Sequence, residues 1–154
     1  MNGNSTPPGP ADHSACAGHG ANLAGKKLTP SRQALLDILC EEARPLGAYD
    51  LIDRMAERSG KRPAPITVYR VLDYLVENSL AHRLSSRNAY MACAHHHDEG
   101  EPLAFLICDQ CGGVSEQTSP ALGTALDSLA DDVSFKRRTQ VIELTGTCAT
   151  CQAA

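Results

Sequence analysis

Four of the seven cysteines in this chain fall into two C-x-x-C pairs, Cys108 with Cys111 and Cys148 with Cys151. A pair at this spacing puts two thiolates on one tight knuckle, and two knuckles supply the four soft ligands of a closed tetrahedral zinc site. Redox dithiols or disulfides would use the same residues, but a redox C-x-x-C works alone at a helix start, and nothing here needs two. Both pairs lie in turn-forming sequence. Cys111 runs into Gly112 and Gly113, and Cys148 follows Gly146. Whatever the chain folds into must bring these two distant segments together.

The 154 residues suffice for one domain or two small ones, and two Phe, four Tyr and no Trp leave little with which to build a large core. A small module of this kind gains from a metal staple. No basic segment followed by an apolar stretch opens the chain, and no run approaches the roughly 20 apolar residues of a membrane span. The expected location is the cytoplasm, where reduced thiols favour metal ligation over disulfides.

The net charge of -4 is unevenly distributed: residues 1–25 carry -1, residues 26–90 carry +3, and residues 91–154 carry -6. A mildly basic first module joined to an acidic second one suggests that the first approaches an anionic polymer.

Residues 1–27, rich in Gly, Pro, Ala and Asn without apolar period, read as a disordered tail. Its His13, Cys16 and His19 offer an accessory metal grip, although three ligands do not close a site. From Thr29, a plausible N-cap, Pro30 opens a helix with Leu35, Ile38 and Leu39 on one face and Cys40 beside them. A second helix is expected over residues 48–58, with Leu51, Ile52 and Met55 inward. Pro65 opens a third, in which Val68, Val71, Leu72, Leu75 and Val76 form a single stripe. Thr67, Arg70, Asp73 and Tyr74 then fall opposite it. Residues 80–84 and 89–93 read as strands around the polar turn 85–88. Three helices and a hairpin make a winged helix-turn-helix over residues 28–93, whose third helix enters a DNA major groove. The alternative is a helical domain in which Arg70 is merely solvated.

Residues 94–102 are short, polar and rich in His and acid, which suits a hinge. Residues 103–154 form the second module, with strands at 103–108, 113–118 and 139–145 and a helix at 120–131. In that helix Leu122, Ala125, Leu126 and Leu129 lie on one side. The fold class is therefore α+β. A small unit with a sheet edge and an apolar helix face is covered most cheaply by self-association, and the default form is a homodimer.

The segments Ala48-Tyr49-Asp50-Leu51, Thr67-Val68-Tyr69-Arg70-Val71-Leu72 and Phe105-Leu106-Ile107-Cys108 through Cys111-Gly112, with Cys148 and Cys151, resemble the ferric uptake regulator family, most closely its zinc-sensing branch. The resemblance covers roughly residues 28–152. It implies a dimeric winged-helix repressor that binds double-stranded operator DNA when metal is replete and controls zinc-uptake genes.

A sensor needs ligands that exchange metal without unfolding the protein, so the regulatory site is sought outside the tetrathiolate. His82 lies on the first wing strand, Cys93 ends the second, His95, His96, His97 and Glu101 stand across the hinge, and Glu116 follows the first knuckle. A nitrogen, sulfur and oxygen set drawn from both modules could hold zinc and clamp the hinge. The resemblance implies that His82, Cys93 and Glu116 are regulatory ligands. Where relatives place a fourth ligand this chain has Glu101, which leaves Glu101, His95 and His97 as candidates. A thiolate in this set favours zinc over the harder sets that suit ferrous iron or manganese. About two zinc ions per protomer are expected, one structural and one regulatory.

In the first module Arg70 is the candidate for purine edges, most simply guanine, and Tyr49 for a phosphate or base. Thr67 and Tyr69 would support them, with Tyr69 also a candidate for the core. Lys26, Lys27, Lys61, Arg62 and Arg87 are candidate phosphate contacts. The competing functions are a family sensor of ferrous iron or peroxide and a zinc-buffering protein that does not bind DNA. No enzyme is expected, because neither a C-x-x-C nor Cys93 with a histidine lies in a strand-to-helix context, and neither a membrane nor a small-molecule substrate is expected as partner.

Overall fold

A computed structural model describes residues 27–42, 44–93, 102–137 and 140–153. They divide into two compact units, one ending at Cys93 and the other beginning at Pro102. The expected tail (residues 1–27) and hinge (94–102) lie almost wholly outside the described residues, as do His13, Cys16, His19, Lys26, His95, His96, His97 and Glu101.

In the first unit, α1 (Pro30–Glu42) starts at Pro30, and the Gln33 amide donates to the Thr29 carbonyl at 2.9 Å. The short strand β1 (Leu46–Gly47) leads into α2 (Ala48–Ser59). Gly47 caps α2, and its own N–H donates to the Asp50 carboxylate at 3.2 Å, so the acid also sits favourably on the helix dipole. Gly60 ends α2 at φ 70°, a left-handed position that glycine adopts without strain. Pro65 then opens α3 (Pro65–Glu77), for which its missing N–H costs nothing. Asn78 closes this helix by donating from Nδ2 to the Tyr74 carbonyl at 2.7 Å.

The apolar stripe of α3 is buried as its period requires: Val68, Val71, Leu72 and Leu75 enter a core with Leu35, Ile38 and Leu39 of α1 and Leu51 and Ile52 of α2. Thr67, Arg70 and Asp73 are exposed. Tyr74 departs from the expectation. It is half-buried against the rim of the core, because its long ring reaches sideways and the Arg32 guanidinium stacks over it at 3.4 Å from the ring centroid. Tyr69, a candidate for the core, is instead on the surface.

The wing consists of β2 (Ala81–Leu84) and β3 (Ala89–Ala92), joined by a 3-10 turn over Ser85–Arg87 with Asn88 left-handed at φ 46°. Their antiparallel register pairs His82 with Met91. β1 adds to the far edge of β3, giving the order β1-β3-β2. That third strand was not expected, since two residues carry no readable alternation.

The second unit has β4 (Leu103–Cys108), β5 (Val114–Thr118), α4 (Pro120–Asp131), β6 (Ile142–Gly146) and α5 (Ala149–Gln152). The sheet order is β5-β4-β6, with β5 antiparallel and β6 parallel to β4. Parallel pairing demands a crossover, and α4 lies within it. The last strand starts at Ile142, later than expected, and α5 had not been anticipated, being a single turn without apolar period. Ala104, Phe105, Ile107 and Ala130 are buried. Leu106 and Leu144, paired across β4 and β6 and hence on one face, are exposed, as are Leu129, Val133 and Phe135. Of the α4 face expected to need a cover, Ala125 and Leu129 are exposed, whereas Leu122 and Leu126 are half-buried within the unit.

Leu72 is 0% exposed at the centre of the first core. Leu72→Ala should lower the stability of this unit by about 3 kcal/mol, read from the urea midpoint at unchanged m-value.

Candidate metal centres and nucleic-acid interface

Parallel pairing sets Cys108, the last residue of β4, opposite Gly146, the last of β6, so both cysteine pairs leave the same end of the sheet. The Asp109 N–H donates to the Gly146 carbonyl at 2.8 Å and ties the two exits together. The first knuckle is closed by Gly112 N–H on the Cys108 carbonyl at 3.0 Å and by Cys108 N–H on the Gly113 carbonyl at 2.9 Å. Gly112 holds φ 71° there, a left-handed position that favours glycine, and a Cβ on Gly113 would meet Cys111 Sγ at 3.3 Å, so a larger residue would press on the thiol. Cys148 caps α5 and Cys151 sits inside it.

The four Sγ atoms all lie within 4.8 Å of one another. Cys111 and Cys148 Sγ are 3.8 Å apart, far beyond the roughly 2.05 Å of a disulfide. An ion bonded to each sulfur at about 2.3 Å in a tetrahedron would set the sulfurs about 3.8 Å apart. The donor set therefore fits zinc both in chemistry and in size. Cys148 N–H also donates to Cys108 Sγ at 3.3 Å. The Cys111 amide first, and then that of Cys148, hold the Cys108 thiol down to about 6. Cys151 is pushed up to about 12, first by its hydrogen bond with Cys148, then by burial. One thiolate, that of Cys108, is thus ready at neutral pH, whereas Cys151 sheds its proton only to a metal.

A second donor pair lies in the wing. His82 on β2 is half-buried, and Cys93, just past β3, is buried, its N–H donating to the Leu80 carbonyl at 3.0 Å. Because the two strands are adjacent, a ring nitrogen of His82 and Cys93 Sγ come within 4.8 Å. Glu116, in the second unit, is half-buried on β5 opposite Phe105.

On the helix-turn-helix, Arg70 and Thr67 are exposed on α3, Tyr69 is 36% exposed, and Tyr49, in the first turn of α2, is 64% exposed. Lys61 is exposed in the turn between the helices, shaped by the Ser59 hydroxyl, which accepts the Lys61 N–H at 3.3 Å and donates to the Met55 carbonyl at 2.9 Å. Arg62 is ion-paired with Asp53, so its guanidinium has a competing partner within the unit. Sequence reasoning missed Ile66, 61% exposed beside Thr67. Its position two residues before the buried Val68 takes it off the apolar stripe, and that was the available signal.

The sequence profile described as the ferric uptake regulator family matches residues 23–145. The zinc uptake regulation protein of Escherichia coli K12 is 35% identical over 125 residues, which cover 81% of this chain and 72% of that protein. Among solved structures, a zinc uptake regulator complexed with zinc and DNA superposes with a TM-score of 0.77 at 35% identity, covering 82% of this chain and 84% of its own. The holo form of XcZur superposes with 0.75 at 36% identity, covering 84% and 89%. The ferric uptake regulator of Helicobacter pylori, at 19% identity and a TM-score of 0.56, shares the fold. A match over most of the chain, with a relative at this identity, is decisive: the chain belongs to the ferric uptake regulator family.

Proposed function

We propose that this protein is a zinc-responsive transcriptional repressor that binds double-stranded operator DNA as a homodimer when regulatory zinc is bound, and so controls zinc-uptake genes. The observation that carries zinc as the signal is the proximity of the His82 imidazole and the Cys93 thiol across the wing. A thiolate and an imidazole together select zinc over ferrous iron or manganese, which prefer harder nitrogen and oxygen donors. Similarity to a zinc uptake regulator captured with zinc and DNA supports the same reading.

Two zinc ions per protomer are assigned. The structural one is held by Cys108, Cys111, Cys148 and Cys151, whose sulfurs fix the ends of β4 and β6. The regulatory one is assigned to His82, Cys93 and Glu116, with a fourth ligand among His95, His97 and Glu101. Zinc, when bound there, supplies a link between donors of the two modules. His82 and Cys93 hold the wing side of that link through the β2–β3 ladder, and Glu116 holds the other from the sheet of the second module. Residues 94–102 act as the hinge whose orientations the link narrows. A 100-fold preference for the DNA-competent arrangement corresponds to about 2.7 kcal/mol, within the range of one metal site.

Dimerisation is assigned to the second module, supported by the exposed Leu106, Leu144 and Leu129. On DNA, Arg70 donates to a guanine edge, Tyr49 contacts a base or phosphate, Thr67 and Tyr69 flank Arg70, and Lys61 and Arg62 reach phosphates. The protein works in the cytoplasm without catalysis. Among the described residues no helix is long and apolar enough to cross a membrane.

Metal analysis of the purified protein should count about two zinc ions per protomer. His82→Ala should lose one and remain a dimer, whereas Cys148→Ser should lose the other together with the dimer. Mobility shifts on operator DNA should require zinc, and a chelator too weak to strip the cysteine site should abolish them; DNA affinity unchanged by such chelation would sink the sensor mechanism. Arg70→Ala should weaken operator binding by roughly 5- to 150-fold, the range of one bidentate base contact, with zinc content and dimerisation intact.

A further inference from the structure

α3 begins at Pro65, so Ile66 is its second residue, and 61% of its surface is exposed. It lies one helical turn before Arg70, at i and i+4, and the two side chains therefore share a face. Tyr74 continues this face one turn further on, but there the Arg32 guanidinium covers the ring at 3.4 Å from its centroid. The face thus runs from an apolar end at Ile66, through the Arg70 cation, to a capped aromatic. Ile66 is absent from the core that Val68, Val71, Leu72 and Leu75 enter. Packing within the unit does not account for a β-branched aliphatic side chain here.

The chemistry of the major groove answers what such a side chain can read. Base edges there present hydrogen-bond donors and acceptors and, among the unmodified bases, one apolar group, the C5-methyl of thymine. Residues at the N-terminal end of a recognition helix are those that meet base edges. We propose that Ile66 is a specificity-determining residue that packs on a thymine methyl near the base read by Arg70. This rests on the repressor reading, with α3 as the helix that enters the groove. Arg70 supplies the polar half of the recognition and Ile66 the apolar half. A methyl group buried this way is worth about 0.8 kcal/mol, or about fourfold in affinity.

The test uses full-length zinc-loaded protein and a duplex enriched by it from a random DNA pool. Each thymine is replaced in turn by deoxyuridine, which removes only the methyl. Wild type should lose about fourfold in affinity at one thymine per half-site. Ile66→Ala should bind the unmodified duplex about fourfold more weakly and show no further loss at that position, whereas Ile66→Val should keep part of the discrimination. Both variants should retain wild-type zinc content, dimerisation and melting temperature, since the side chain is exposed. The absence of any methyl-sensitive thymine for wild type, or undiminished discrimination by Ile66→Ala, would overturn the assignment while leaving the repressor reading standing. Failure to enrich any duplex would overturn both.

Discussion

The second module depends on one constraint, the meeting of β4 and β6 in parallel with their cysteine-bearing ends side by side. A parallel partner cannot be reached by a tight turn, so the chain must travel through α4 and return, and the entropy of closing that excursion has to be recovered after it is complete. Little apolar burial is available to recover it: among the described residues of this unit the buried aliphatic and aromatic side chains are Pro102, Ala104, Phe105, Ile107 and Ala130. The four sulfurs lie where they can supply the remainder, on the two chain exits that the Asp109–Gly146 hydrogen bond already aligns. The pairing of Cys108 with Gly146 makes the knuckles converge, and on the proposed reading metal then locks the pairing.

The two donor sets divide naturally by chemistry. The cysteine set is complete within one module, all soft, and positioned by backbone turns, one of which places Gly112 at a left-handed φ. On the proposed reading such a site resists exchange, because four thiolates close the coordination of the ion. The wing pair of His82 and Cys93 hangs on the β2–β3 hairpin ladder, whose backbone pairing is separate from the two donor side chains. On the proposed reading, a site completed from there has the exchangeable character that a sensor needs.

Much of this was legible in the chain because the signals were either strictly spaced or strongly periodic. The C-x-x-C pairs with adjacent glycines located the knuckles, and the Val68-Val71-Leu72-Leu75 stripe with Pro65 before it fixed α3 and turned Arg70 outward. What escaped detection was short or depended on tertiary geometry. β1 has two residues and α5 four, too few for any period, and β1 is defined by tertiary geometry: its pairing with β3 and the burial of Leu46 in the core. Tyr74 was placed on the polar side by helical angle alone, whereas ring length and the Arg32 stack draw it inward. Ile66 was overlooked because an aliphatic residue beside an apolar stripe is easily counted with it. The choice of regulatory ligands came from family resemblance and donor chemistry, since no spacing rule links a wing strand to another module.

The ion pairs of the helix-turn-helix carry a consequence for how such a protein searches a genome. Arg54 is held by Glu42 and Glu57, Arg58 by Glu41, Arg44 by Glu42 and Arg62 by Asp53. Several of the cations that give this region its positive balance are thus already neutralised before DNA arrives. Non-specific affinity for duplex DNA scales with the number of phosphates that a protein neutralises and with the counterions that leave. A phosphate that recruits Arg44, Arg54, Arg58 or Arg62 must displace the acid that holds it, so each such contact adds less to non-specific affinity than an unpaired cation would. On the proposed reading this shifts weight from bulk electrostatic attraction toward base-edge contacts, and so toward the metal-dependent arrangement of two recognition helices.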